Sequence, residues 1–136
     1  MKIERNLLYI LFSELIFTIL PLIVISIVRS YQDKVSLIFY NVEWSMMAII
    51  LFGQSIIKFS SGISNSKKQF RWQLVALIIS LIITIGLIPS IVILVINSTN
   101  DNQSLGLHIF QIILFILSTI TFFLIGYIGQ KLIEEK

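Results

Sequence analysis

The chain has 136 residues, of which 57% are hydrophobic and 12% charged, with a net charge of +3 and no cysteine. A soluble domain of this size is nearer half apolar and a quarter charged, and a mean hydropathy of +0.97 in 15.6 kDa leaves more apolar surface than one small core can hide. These figures exclude a soluble enzyme and a disordered chain, and they remove disulfides, thiolate nucleophiles and cysteine metal sites.

Four runs are long and apolar enough to cross a hydrocarbon core about 30 Å thick, which takes roughly 20 residues of helix. They cover about 7–28, 37–59, 72–96 and 107–129. The expected fold class is therefore all-α: one polytopic membrane domain over 1–136, a compact bundle of four transmembrane helices. The first run exceeds a signal-peptide core and lacks a small-x-small cleavage site over Ser26–Ser30. It predicts an uncleaved first helix. Its ionisable residue, Glu14, falls about 10 Å inside the inner end at 1.5 Å per residue, with Thr18 and Pro21 on the same face.

On the second run Glu43, Met47, Ile50, Gln54 and Lys58 share a narrow stripe at helical spacing. The depths predict a Glu14–Gln54–Lys58 contact between neighbouring helices, with Glu43 near the outer surface within reach of Arg29 or Lys34. Ionisable groups at membrane depth are costly and face protein or water, so Glu14, Thr18, Glu43, Gln54 and Lys58 form the candidate ion or proton site. The plainer role for the same groups is hydrogen-bonded adhesion between helices.

The third run carries Ala76, Ser80 and Thr84, a ladder of small residues suited to close helix approach. The fourth puts Gln111, Phe115, Ser118, Phe122, Gly126 and Gly129 on one face; here Ser118, Gly126 and Gly129 are the expected packing positions. The partner helix is either in this chain or in another copy. The lone His108 is expected as an interfacial residue at the outer edge, since no second histidine, cysteine or acid cluster completes a metal site. No cofactor is expected.

The connections 29–36, 60–71 and 97–106 are short and rich in Ser, Asn, Gly or charge, which is turn composition. Lys2, Arg5, Lys58, Lys67, Lys68, Arg71, Lys131 and Lys136 fall on one side, and Arg29 and Lys34 on the other. That asymmetry predicts cytoplasmic N- and C-termini in a multi-pass protein of the cytoplasmic (plasma) membrane. Lys67, Lys68 and Arg71 with Phe70 and Trp72 read as a topology determinant with an aromatic belt; nucleic acid is not an expected partner. Asn97-Ser-Thr and Asn102-Gln-Ser match the glycosylation pattern, but 30 isoleucines and abundant asparagine suit an AT-rich bacterial genome, where the match carries little.

A shift by half the chain length sets Pro21-Leu-Ile-Val-Ile against Pro89-Ser-Ile-Val-Ile, Asp33 against Asp101, Tyr40 against His108 and Glu43 against Gln111. Two parallel hairpin repeats would follow, related by an axis along the membrane normal, with Pro21 and Pro89 as paired hinges or packing bends.

No phosphate-binding glycine loop, zinc-protease helix or nucleophile elbow occurs, and no serine has a histidine and an acid placed to activate it. A non-enzymatic role is expected: a protein acting through oligomerisation, as a channel-like or membrane-perturbing effector or the membrane subunit of a larger system such as a defence or immunity assembly. Its partners would be the bilayer, further copies, or another membrane or cytoplasmic protein. Ser13-Glu14-Leu15-Ile16-Phe17-Thr18 resembles the start of the small multidrug resistance transporters, four-helix proteins that exchange protons for cationic drugs at a first-helix glutamate. The resemblance covers six residues and implies a proton-coupled carboxylate at Glu14 alone; the glycine-rich third helix and second-helix aromatic pattern of that family are missing here. A passive accessory or scaffold protein is the third expectation.

Overall fold

The computed structural model describes residues 5–34, 43–67, 69–99 and 105–134. They form four helices: α1 (Arg5–Tyr31), α2 (Glu43–Asn65), α3 (Trp72–Thr99) and α4 (Leu105–Glu134), each long and apolar enough to cross a membrane. No strand occurs among the described residues. Lys2, residues 37–42 with Tyr40, Lys68, Asp101, Asn102 and Lys136 lie outside them.

Backbone hydrogen bonding explains where the helices stop. Asp33 takes the left-handed conformation (φ 55°), and the amides of Asp33 and Lys34 bond the carbonyls of Ser30 and Arg29 at 3.2 and 2.9 Å. This is a Schellman closure of α1, and aspartate tolerates the left-handed region better than most residues do. Two ends differ from the turn composition of the sequence. Ser60–Asn65 is the last part of α2 because Gly62 and Ile63 are buried there, and Asn97–Thr99 continues α3.

The most extensive packing is between α2 and α4, with α1 and α3 against that pair. Three apolar clusters fill the contacts. Leu7 and Leu11 of α1 meet Leu51, Phe122 and Tyr127. Ile82 and Ile93 of α3 meet Ala48, Phe52 and Leu114, and Val75 meets Phe59, Ile63 and Leu132. α3 is thus held along its length. α1 is not: its buried side chains are Leu7, Leu11 and Leu22, while Phe12, Ile16, Phe17, Leu20, Ile23 and Val24 are exposed.

Glycines set the closest approach. A β-carbon on Gly129 would fall on the Lys58 carbonyl, and one on Gly62 would fall on the Gly129 carbonyl. The α2 and α4 backbones therefore touch one turn from the Lys58 side chain. Ser118 and Gly126 are buried on the same α4 face; the Ser118 hydroxyl returns to the Phe115 carbonyl (2.6 Å). Ser55 does likewise to Leu51 (2.8 Å), so these polar side chains sit in an apolar contact without an unmet bond.

Of the two partners expected for the α3 ladder, a helix of this chain does not cover it. Ala76, Ser80 and Thr84 are exposed, and α3 turns Val75, Ile82, Gly86, Ser90 and Ile93 inward. The inward face has its own small residues, Gly86 and Ser90, and a β-carbon on Gly86 would fall on the Phe52 ring, so close side-chain packing on that face sets the rotation of the helix. The prolines also differ from each other. Pro21 is exposed in an uninterrupted α-helix. Pro89 follows a π-helical turn over Ile82–Leu87, in which the Ile88 amide reaches the Ile83 carbonyl. Proline deletes one amide and crowds the carbonyl four residues back. The wider turn makes room for that ring, and the Ser90 hydroxyl bonds the Gly86 carbonyl at 2.7 Å.

Candidate functional site

Two polar clusters sit at opposite ends of the α2–α4 pair. At one end, named the inner end after the orientation predicted from the sequence, the Lys58 ammonium lies 2.9 Å from one carboxylate oxygen of Glu14 and 3.0 Å from the other. It also donates to Gln130 Oε1 at 2.8 Å, and Gln130 Nε2 donates to Glu134 at 3.2 Å. The helices dictate this meeting. Leu7 and Leu11 seat the start of α1 in the core, which brings Glu14, one turn on, over Lys58. The Gly62–Gly129 contact brings Gln130 against α2 from the other side. The Lys58 side chain is 13% exposed and that of Glu14 39%, so the cation is enclosed while its counter-ion keeps one open flank. An enclosed ammonium with three donors needs acceptors around it, and Glu14 and Gln130 supply them.

Gln54 does not join that pair. Its Nε2 reaches Thr18 Oγ1 at 3.5 Å, and the Thr18 hydroxyl itself donates to the Glu14 carbonyl at 2.8 Å. Gln54 Oε1 is buried with no hydrogen-bond partner among the described residues. The predicted three-way contact is thus two links in parallel, Glu14–Lys58 and Thr18–Gln54, joined through the α1 backbone. Glu43 stands apart. It lines an outer cleft of 370 Å³ with Ile25, Val28, Arg29 and Gln32. Among the described residues the ion pair within 4.0 Å is Lys58–Glu14, so the expected partnership of Glu43 with Arg29 or Lys34 is not formed.

The outer cluster was not singled out by sequence spacing. Gln111 Oε1 accepts from Ser45 Oγ and from Asn97 Nδ2, both at 3.1 Å, and Gln111 Nε2 lies 3.3 Å from His108 Nδ1. Ser45, Gln111 and His108 are 1%, 0% and 4% exposed. His108 is therefore interior rather than interfacial: its helix begins at Leu105, a turn before it, and α2 and α3 close over the ring's side of α4. The polar residues of three neighbouring helix ends were each visible in the sequence. Their convergence was not, because it depends on α3 remaining helical through Asn97, where the composition suggests a loop.

Comparison with protein-family models, with curated proteins and with solved structures yields no match. The likeness of Ser13–Thr18 to the small multidrug resistance transporters rests on those six residues alone.

Proposed function

We propose that this is a multi-pass protein of the cytoplasmic membrane, with both termini inside, that acts without catalysis by assembling with further copies or with a partner membrane protein. The observation that carries this reading is the outward ladder of Ala76, Ser80 and Thr84. Small residues let helix backbones approach closely in lipid, and this chain's own helices leave that face uncovered. The paired state of Glu14 supports the same view, since its carboxylate is bound by Lys58 and serves adhesion between α1 and α2. In function the assembly is a channel-like or membrane-perturbing effector, or the membrane subunit of a larger system of the defence or immunity kind. Four helices in two parallel hairpins, with α2 and α4 central and α1 and α3 outside, is the arrangement this reading uses.

Native mass measurement in lipid nanodiscs tests it. We expect an oligomer from the intact chain and monomer from Ser80→Leu with unchanged helical content. Monomer from the intact chain overturns the self-assembly reading, and a co-purifying subunit in its place selects the accessory or scaffold role.

A second reading, a proton-coupled exporter working through Glu14, is supported by the open flank of that carboxylate and by the Thr18–Gln54 link beyond it. In proteoliposomes it requires Glu14→Gln to abolish proton-driven cation uptake, and uptake that survives the substitution removes it.

A further inference from the structure

The outer end of α1 holds charge and space that the rest of the fold leaves unused. Beyond Leu22 no side chain of α1 is buried. Between its last two turns and the start of α2 lies the cleft of 370 Å³ that Ile25, Val28, Arg29, Gln32 and Glu43 line. A guanidinium on one wall and a carboxylate on the other therefore border one space. They lie more than 4.0 Å apart, and among the described residues neither side chain has an ion pair or a hydrogen bond. Asp33 and Lys34, the other charges near by, are exposed past the closure of α1 and do not line the cleft.

Opposite charges held apart on two walls call for a ligand that carries both signs. An inorganic anion would meet Arg29 and set more negative charge beside Glu43; a metal cation would do the reverse. A zwitterionic headgroup presents a phosphate and an ammonium side by side, and it is found where the ends of membrane helices are. The planar fork of arginine matches phosphate oxygens. The Gln32 amide is a further donor for the same phosphate, and a carboxylate accepts N–H bonds from a primary ammonium. The apolar surface below the cleft fits the rest of such a molecule. Phe17, Pro21, Val24 and Val28 are exposed and follow one another at helical spacing. Val28 belongs both to this stripe and to the cleft wall, so a chain descending from the cleft meets continuous apolar surface.

We propose that this cleft binds a zwitterionic aminophospholipid of the phosphatidylethanolamine class. Its phosphate lies on Arg29 and Gln32, its ammonium on Glu43, and one acyl chain along the Phe17–Val28 stripe. The bound headgroup joins α1 to α2 at the outer end, where the two helices have no ion pair of their own, as Glu14–Lys58 joins them at the inner end. The site rests on the membrane placement proposed above and not on assembly, because both walls belong to one chain.

Native mass spectrometry of the full chain, released from nanodiscs of mixed lipids, tests the site. Phosphatidylethanolamine should be retained about tenfold over phosphatidylcholine, whose ammonium has no N–H to donate, which is the effect of one charge-assisted hydrogen bond. It should also be preferred over phosphatidylglycerol, which has the phosphate without the ammonium. Arg29→Gln should reduce retention of all three lipids, and Glu43→Lys should turn the preference toward phosphatidylglycerol. Equal retention of the three lipids by the intact chain overturns the proposal, and so does a preference that neither substitution changes. Displacement of the lipid by water-soluble phosphoethanolamine at equal concentration shows that the stripe contributes nothing and overturns a lipid as the occupant. Flotation with vesicles is read separately: a chain that floats but shows no preference loses the site alone, and one that does not float loses the membrane placement and the site together. If one variant loses its helical signal, the intact chain and the other variant decide.

Discussion

The two polar clusters solve the same problem with different chemistry. The inner one ties α1 to the α2–α4 pair with a formal charge pair, Glu14–Lys58, and a neutral amide, Gln130. The outer one ties α3 to the same pair with neutral groups only, through Asn97 and Gln111. The difference follows the apolar packing. α3 contributes to two apolar clusters along its length and needs only a positioning contact. α1 is seated by Leu7 and Leu11 at one end and exposes most of its remaining surface. A stronger electrostatic tie is found where hydrophobic packing is thinnest.

Breaking the inner tie should therefore cost most. Lys58→Met leaves Glu14 with no cation and Gln130 with no donor. Removing one partner of a fully buried pair costs about 3–5 kcal/mol, and the open flank of Glu14 reduces this to about 2–3 kcal/mol, near the translocon cost of a lone charge. Reversible unfolding in mixed micelles measures it. The double variant Glu14→Gln with Lys58→Met should recover most of the loss, and a double variant as unstable as the single one would show that Lys58 serves Gln130 instead.

Gly129→Val comes next. Its side chain meets the Lys58 carbonyl with no flexible atom to give way. Overpacking of this kind costs about 1–3 kcal/mol. It should also weaken the inner cluster while sparing the outer one, seen as lost α1 protection in hydrogen exchange with α3 unchanged. Equal loss in both helices would mean that the ends are not independent.

At the outer end Gln111→Leu removes the acceptor of Ser45 and Asn97 together. Hydrogen bonds between membrane helices average about 0.6 kcal/mol with a maximum near 1.7, so two of them set an expected loss of about 1–2 kcal/mol in the same unfolding measurement. A loss larger than that of Lys58→Met would invert the comparison between the two ends.

How far the sequence could be read depended on whether the relevant quantity is local. Apolar run length is local, and all four helices were legible from it. The stripe Glu43–Met47–Ile50–Gln54–Lys58 is also local, and depth alone placed Lys58 near Glu14. Rotation of α3 is not local: its ladder is as regular as the α4 face, yet Ile82 and Ile93 turn inward and Ala76, Ser80 and Thr84 outward because Phe52 and Leu114 wait on the other side. Gln130 and Gly62 were invisible for the same reason, since each acquires its role only from the crossing of α2 over α4. His108 and Asn97 were misread by position, because residues at a span's edge were assigned to the interface while the helices continue past them.

The smallest effect is expected at Thr18, and it bears on what the inner cluster is for. The Gln54–Thr18 link, at 3.5 Å, is longer and hence weaker than the usual side-chain hydrogen bond, and the Thr18 hydroxyl already donates within its own helix. Thr18→Val keeps the β-branched shape and deletes only the hydroxyl, so its cost should be below about 0.5 kcal/mol, less than the average interhelical bond in a membrane. If the inner groups were a line along which protons or cations pass, Thr18 and Gln54 would continue it toward the centre of the membrane. Transport would then fall sharply in Thr18→Val although stability did not. Parallel insensitivity of stability and of cation flux assigns Glu14 and Lys58 to holding α1 in place, and a loss of flux alone assigns them to a pathway.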